Sequence, residues 1–184
     1  MKKYEFTGEV KVLLDHTMHQ IRATVAFGAV RAGEVGGWIE KEENLSHDGN
    51  AWVYDNAEVC GNAEVYGDAE VYGNAEVYGN AEVWGNAKVC GDAKVYGNAE
   101  VWGDAHYLVV GPIGSRGGFT TFFRSKKLEI CVACGCFRGN IEAFAEKVKK
   151  THGENVHAKQ YMAAIEMAKV CIDLTPEENA DGNS

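Results

Sequence analysis

The chain has 184 residues and a formal net charge of −9, with 18 basic residues against 27 acidic ones. This length fits one compact domain or one domain with a small appendage. The acidic balance argues against direct nucleic-acid binding, which favours a basic surface. No apolar run approaches the roughly 20 residues of a membrane span and no apolar signal core opens the chain, so we expect a cytoplasmic protein with reduced cysteines.

Residues 1–37 are predicted to form an N-terminal β cap. Two strand-like segments, YEFTGEVKVLL and IRATVAF, flank the polar stretch DHTMHQ, and this pattern predicts a hairpin. Residues 38–106 contain a repeat, which is regular from Val53 onward: valine recurs every six residues to Val101, and alanine follows each valine by four. A six-residue period suits strands and not a 3.6-residue helix. Gly-Asn or Gly-Asp in nearly every repeat predicts a tight corner.

The V-x-G-[ND]-A-x pattern resembles the hexapeptide-repeat family. That resemblance implies a left-handed parallel β-helix in which three hexapeptides make one coil of 18 residues. The chain would then be mainly β, with about three regular coils, an irregular first coil and a small C-terminal α+β domain. The segments GGWIEKEENLSHDGNAWVYDNA, SRGGFTTFF and CGCFRGN resemble proteins of phages and gut bacteria that are often described as acyltransferases. The family resemblance is more specific for the fold than for an activity.

Residues 18 apart should stack at the strand spacing of about 4.8 Å. The stacked positions form an aromatic ladder and an acidic column, which we interpret as a surface for a protein partner. The ladder is Tyr66, Trp84 and Trp102, and the column is Glu64, Glu82 and Glu100. Residues 50–106 carry ten acids and two lysines, whereas residues 107–174 carry ten bases and six acids. Plain surface packing is the favoured explanation of the aromatic ladder. Solubility explains the charge distribution as well as a partner surface does.

Residues 107–174 are predicted to form the α+β domain, and residues 175–184 a disordered tail. Strands are expected at 107–110, 119–124 and 128–133, with a loop at 111–118. A helix should begin after the N-cap Asn140 and end at Gly153, and a second should span about 157–171.

The loop and its surroundings combine backbone N–H groups, hydroxyls and guanidinium groups, which can hold an anion. The predicted ligand-binding residues are Ser115, Arg116, Gly117, Thr120, Thr121 and Arg138. The alternative is a flexible connection with a solvated arginine. The spacing is neither that of a Walker loop nor that of a dinucleotide fingerprint.

Cys131, Cys134 and Cys136 are weak zinc candidates. Strand alternation places Cys131 opposite the other two, so buried reduced thiols are favoured and no metal or cofactor is predicted. No catalytic residue is predicted either, because the regular repeats contain a single histidine, His106, at their last position.

These observations favour a non-catalytic binding protein. The resemblance implies a phage protein that acts against bacterial defence in the host cytoplasm, by occupying a host protein or sequestering an anionic nucleotide. One alternative is an acyl-CoA-dependent O- or N-acyltransferase, and another is a structural scaffold. The resemblance also implies self-association, most often as a trimer.

Overall fold

The computed structural model describes residues 2–13 and 15–176, with only the backbone of Asp104. Most of the predicted disordered tail, from residue 177 onward, lies outside this part of the chain. The protein is mainly β. Within the described residues, no helix is long and apolar enough to cross a bilayer.

The described residues contain sixteen strands and two α-helices. The strands are β1 Tyr4–Leu13, β2 His16–Ala23, β3 Val35–Ile39, β4 Trp52–Val53, β5 Glu58–Val59, β6 Glu64–Val65, β7 Glu70–Val71, β8 Glu76–Val77, β9 Glu82–Val83, β10 Lys88–Val89, β11 Lys94–Val95, β12 Glu100–Val101, β13 Tyr107–Ile113, β14 Gly118–Arg124, β15 Ile130–Cys134 and β16 Phe137–Asn140. The helices are α1 Ile141–His152 and α2 Val156–Cys171.

The repeats form a three-sided prism of parallel strands. One wall contains β4, β7 and β10, another contains β6, β9 and β12, and the third runs through β3, β5, β8 and β11. Residues 18 apart are partners, as in Val59↔Val77. An irregular first coil precedes the regular ones, because Ile39 pairs with Val59 and Leu45 bridges to Val65. The predicted left-handed β-helix is confirmed, with about four coils.

Periodic burial holds the prism together. The repeat valines from Val53 to Val101 are at most 1% exposed, and the alanines from Ala57 to Ala99 are fully buried. The corners carry side-chain ladders: the Asn62 amide donates to Asn80 Oδ1 at 3.2 Å, and Asn80 donates to Asn98 at the same distance. Valine fills each wall, whereas the narrower space beside each corner accepts only alanine.

The N-terminal hairpin extends one wall of the prism and covers its open end. β1 pairs with β2, and β2 pairs with β3, both antiparallel. The buried Tyr4 hydroxyl donates to the carbonyl oxygens of Glu42 and Leu45. Lys3 Nζ donates to Ala51 O at 2.9 Å, and burial lowers the pKa of Lys3 to about 8. These bonds satisfy carbonyl groups at the end of the coil.

The C-terminal sheet has the order β13-β14-β15-β16, and all its pairs are antiparallel. Phe122 and Val132 pack with the helices, whereas Phe123 and Ala133 pack against the prism core. Both predicted helices are confirmed: the Asn140 side chain accepts from Ala143 N, and Gly153 follows α1. The predicted loop at 111–118 is wrong in extent, because β13 continues to Ile113 and leaves a turn at 114–117. β16 was not predicted.

This sheet closes the other end of the prism. Ala99 bridges Ser125 in antiparallel fashion, and Lys126 N donates to Asn98 O at 2.9 Å. The Thr121 hydroxyl accepts from Lys94 N at 2.9 Å. Strand β14 therefore lies directly on the last coil, which fixes the position of the helices beside the prism.

Candidate functional site: a cleft between the prism and the C-terminal domain

A cleft of about 510 Å³ lies where the C-terminal domain meets the prism. It is bounded by the turn at 114–117, the turn between β15 and β16, helix α1 and the first part of α2. The prism contributes Asp92 and Lys94. Most of the cleft thus belongs to the C-terminal domain, and the last coil completes one side of it.

The floor of the cleft is aromatic and aliphatic. Phe119, Phe137, Phe144, Val148 and Tyr161 line it. The Phe137 and Phe144 rings have centroids 5.1 Å apart, and Phe144 contacts Tyr161 edge to face at 5.6 Å. Such a floor favours a flat or apolar ligand body.

The mouth carries mostly positive groups. Arg116, Lys147 and Lys94 line it against a single acid, Asp92. Lys94 is paired with Glu76. Within residues 2–13 and 15–176, Arg116 and Lys147 form no ion pair with a carboxylate. The cleft thus combines an apolar interior with two cations that an anionic ligand can neutralise.

The turn at 114–117 is held against helix α2. Gly114 N donates to Gln160 Oε1 at 3.0 Å. Gly114 has φ +75°, and a Cβ atom there would lie 1.9 Å from the Tyr161 hydroxyl. Only glycine fits this position, so the turn places Ser115 and Arg116 at the mouth of the cleft.

Tyr161 and Cys134 form a polar spot in the apolar interior. The Thr120 hydroxyl donates to Cys134 Sγ at 3.2 Å. Burial and the neighbouring Cys134 raise the pKa of Tyr161 to about 12, an effect that Arg116 opposes. Tyr161 is therefore protonated at neutral pH and can donate a hydrogen bond to a ligand. His152 supplies the imidazole of the cleft, with its ring centroid 5.7 Å from that of Tyr161.

The structure brings only part of the predicted ligand set together. Ser115 and Arg116 line the cleft, and Gly117 completes their turn by donating to Gly114 O. Thr120 and Thr121 are both buried and lie on opposite faces of β14, so they do not form one surface with Arg116, and their role as ligand residues stays a prediction. Thr120 is bonded to Cys134, and Thr121 to Lys94 N.

Arg138 lies outside the cleft lining. Its Nε donates to the Tyr78 hydroxyl at 2.9 Å, and its guanidinium lies 5.1 Å from the centroid of Tyr96. It also donates to the carbonyl oxygens of Gly135 and Phe137. Arg138 therefore fastens the β15–β16 turn to the prism and does not join Arg116.

Sequence reasoning did not identify Lys147, His152 and Tyr161 as cleft residues. The available signal was the pairing of aromatic with basic residues on α1. The face that carries Phe144 and Val148 also carries Lys147 and His152 at its edge.

Cys131 and Cys134 lie on opposite faces of the C-terminal sheet. Cys131 packs against the prism core, whereas Cys134 at the end of β15 and Cys136 in the turn after it line the cleft. Across the described part of the chain, no group of three His, Cys, Asp or Glu residues is placed to hold a metal ion. Burial raises the pKa of Cys131, which favours the neutral thiol.

The aromatic ladder and the glutamate column form as the 18-residue register requires. Trp84 stacks on Tyr66 at 5.7 Å and on Trp102 at 4.7 Å, and the Arg124 guanidinium lies 4.5 Å from the centroid of Trp102. Glu64, Glu82 and Glu100 are direct partners in the wall. The column is not purely acidic, because Lys126 of the C-terminal domain forms ion pairs with Glu82 and Glu100. Its role as a partner surface stays a prediction.

His106 has a structural role where the last coil of the prism meets the C-terminal domain. Its Nε2 lies 3.2 Å from Arg124 Nη1, and its ring contacts Trp102. Burial and the Arg124 charge lower its pKa, so the imidazole is neutral at neutral pH. His106 is held between these neighbours and does not line the cleft.

No protein-family model matches the chain. A segment of 52 residues is 42% identical to the uncharacterized acetyltransferase YdcK of Escherichia coli K12. The matched segment makes up 28% of this chain and 15% of YdcK. The chain thus matches a small fraction of the relative's length. This likeness favours the acyltransferase alternative slightly over a binding protein, and it offers no support for a role against bacterial defence. Together with the parallel prism, it agrees with a hexapeptide-repeat β-helix protein.

Proposed function

We propose that this chain binds an acyl-CoA in the C-terminal cleft and transfers the acyl group to an amine or hydroxyl. The cleft's combination of an apolar floor with unpaired cations carries the proposal. CoA has the matching chemistry, since its phosphates are anionic, its adenine ring is flat and aromatic, and its acyl chain is apolar. The likeness to an acetyltransferase supports the same class of ligand.

The cleft residues suit each part of this reaction. Arg116 and Lys147 pair with phosphate oxygens, and the aromatic floor packs against the apolar groups. His152 accepts the proton of the attacking amine or hydroxyl, and the protonated Tyr161 donates to the carbonyl oxygen as it gains charge. The new C–N or C–O bond replaces the C–S bond of the thioester. The CoA thiolate leaves and takes up the proton from His152.

Calorimetric titration with CoA tests the binding step. Arg116→Ala and Lys147→Ala should each weaken binding about 10-fold or more, because a charge-assisted hydrogen bond contributes about 1.5–3 kcal/mol. Lys150→Ala is the matched control, since Lys150 lies on α1 outside the cleft lining. Equal affinity in all four proteins would exclude the cleft as the CoA site.

A second candidate is sequestration of a nucleotide without turnover. The nearly complete absence of histidine from the repeats favours it, because the prism walls then offer almost no imidazole as a general base. Thiol release from acetyl-CoA with a panel of amines and alcohols separates the two functions. Turnover that is lost in His152→Gln while CoA binding remains supports transfer. Tight nucleotide binding with no thiol release from any acceptor supports sequestration.

A further inference from the structure

One carboxylate lies in the cleft among the cations. Asp92 lines the cleft together with Lys94, Arg116 and Lys147. Among residues 2–13 and 15–176, Asp92 forms no ion pair, although it is half-buried and Lys94 follows it by two positions. Lys94 is paired with Glu76 instead. The cleft therefore contains charges of both signs that the described chain does not neutralise.

The Asp92 side chain is held in place by the preceding coil. Asp92 follows Gly91 at a corner of the prism, and the Asn74 amide donates to its Oδ1 at 3.1 Å. This hydrogen bond joins residues 18 apart and belongs to the ladder along that corner. A carboxylate can accept several hydrogen bonds, so one bond from Asn74 leaves capacity for a ligand. The acid is thus positioned before any ligand enters the cleft.

Neither the corner nor an anionic ligand needs a negative charge at this position. The ladder from Asn62 to Asn98 forms the same kind of corner with amides only. In the cleft, the charge of Asp92 repels the phosphates that Arg116 and Lys147 attract, and such repulsion is stronger in a partly buried site than in water. A second ligand that carries a positive charge would turn this cost into an attraction.

We propose that the acyl acceptor is a primary amine, which binds as an ammonium ion against Asp92. This inference rests on the acyl transfer proposed above and narrows its acceptor from an amine or hydroxyl to an amine. The bound ammonium loses one proton to solvent, and the neutral nitrogen then attacks the thioester carbonyl. The C–N bond forms as the C–S bond breaks, and the second proton passes through His152 to the CoA sulfur.

Calorimetric titration of spermidine into the protein with CoA present tests the binding of the amine. Asp92→Asn should weaken spermidine binding about 10-fold or more, because a hydrogen bond to a charged group is lost. Asparagine can still accept from Asn74, so the corner is preserved. Asp68→Asn is the matched control, because Asp68 accepts from the Asn50 amide at 2.8 Å at another corner and does not line the cleft. Equal losses in both variants, or no spermidine binding by the wild-type protein, would overturn the proposal.

Thiol release from acetyl-CoA separates failure of this inference from failure of the transfer itself. Putrescine is compared with butanediol, and a lysine peptide is included because lysine side chains carry the same ammonium group as small polyamines. Amines alone should react, and Asp92→Asn should raise the KM for the preferred amine about 10-fold while CoA binding is kept. Equal turnover of butanediol, or an unchanged KM in Asp92→Asn, would refute the amine assignment and leave the transfer intact. Binding of CoA with no thiol release from any acceptor would refute both.

Discussion

The need for glycine differs from one prism corner to the next. Gly61, Gly73 and Gly85 have φ between +65° and +74°, where an L side chain is strained by about 1–2 kcal/mol. Position also matters, because each corner lies under the corner of the next coil. A Cβ atom on Gly85 would lie 2.6 Å from Trp102 O, whereas one on Gly97 would meet no atom within 4 Å.

Replacement of these two glycines separates backbone strain from crowding. Gly97→Ala should lower the free energy of unfolding by about 1 kcal/mol, because alanine is strained at the positive φ of this position. Gly85→Ala should lower it by at least about 1 kcal/mol more, because the new methyl group displaces the carbonyl of the next coil. Urea denaturation of both variants measures the difference. Equal losses would mean that the coils shift freely to admit a side chain.

Residue identity in the prism was predictable because the same environment recurs every six positions. The valines and alanines point inward as alternation requires. Thr120 and Thr121 have no such periodic context. Their burial depends on β14 lying between the helices and the last coil, and nothing in the local sequence SRGGFTTFF indicates that both faces of this strand are covered.

Among the elements, the turn between β14 and β15 links the C-terminal domain to the prism through ion pairs. Lys126 in this turn forms ion pairs with Glu82 and Glu100, two of the three stacked glutamates. The hydrogen bond and charge of Glu82 raise the pKa of Lys126, so its ammonium persists throughout the physiological range. The positive charge of Lys126 therefore offsets the repulsion between the stacked glutamates of this wall.

Removal of this cation should have a small effect that depends on salt. Lys126→Gln should reduce the free energy of unfolding by less than about 1 kcal/mol, because the lysine side chain is 44% exposed and its ion pairs are screened. The loss should shrink at high ionic strength. Lys127→Gln, in the same turn and without an ion pair among the described residues, is the control. Denaturation at low and high salt checks this, and a loss that is unchanged by salt would contradict it.

The elements themselves were mostly predictable. Capping by Asn140 and Gly153 set the bounds of α1, and turn residues indicated the hairpins. β16 was missed because FRGN is not strand-like in composition. It is extended because Cys131 through Cys134 pair with it and because Arg138 holds its turn on Tyr78.

At the scale of the whole molecule, stability depends on a buried junction between the prism and the C-terminal domain. Arg124 is 2% exposed and lies between Trp102 and His106, while Asp173 N donates to Ala105 O. The charge of Asp173 acts on both basic groups, but burial and Arg124 dominate and lower the pKa of His106. The junction therefore tolerates one positive charge and disfavours a second.

Acid should weaken this junction. The folded-state pKa of His106 lies below its ordinary value of 6.5, so the unfolded chain binds the proton more readily. The contribution of His106 is thus favourable above pH 6.5 and is lost as the pH falls below that value. His106→Gln should flatten the pH dependence of unfolding between neutral and mildly acidic conditions. Urea denaturation across this range tests it, and an unchanged slope in the variant would exclude His106 as the cause.

The cleft was the least predictable feature, because it is assembled from distant segments. Arg116, Lys147 and Tyr161 come from a turn and two helices, and Asp92 and Lys94 come from a corner and a strand of the prism. Ser115 and Arg116 stood out in the sequence through the glycines around them, and Cys134 and Cys136 stood out only as weak zinc candidates. Their partners became evident once β14 was seen to dock on the last coil.

The register of 18 residues has a consequence for how such a chain can change in length. Duplication of three successive hexapeptides would insert one complete coil and move the C-terminal domain along the prism axis by about 4.8 Å, with every wall still in phase. Insertion of a single hexapeptide would instead turn the domain by a third of a revolution, so that Arg138 and Lys126 would face the wrong walls. Length variation that preserves the cleft is therefore restricted to whole coils, even though the repeats look interchangeable one by one.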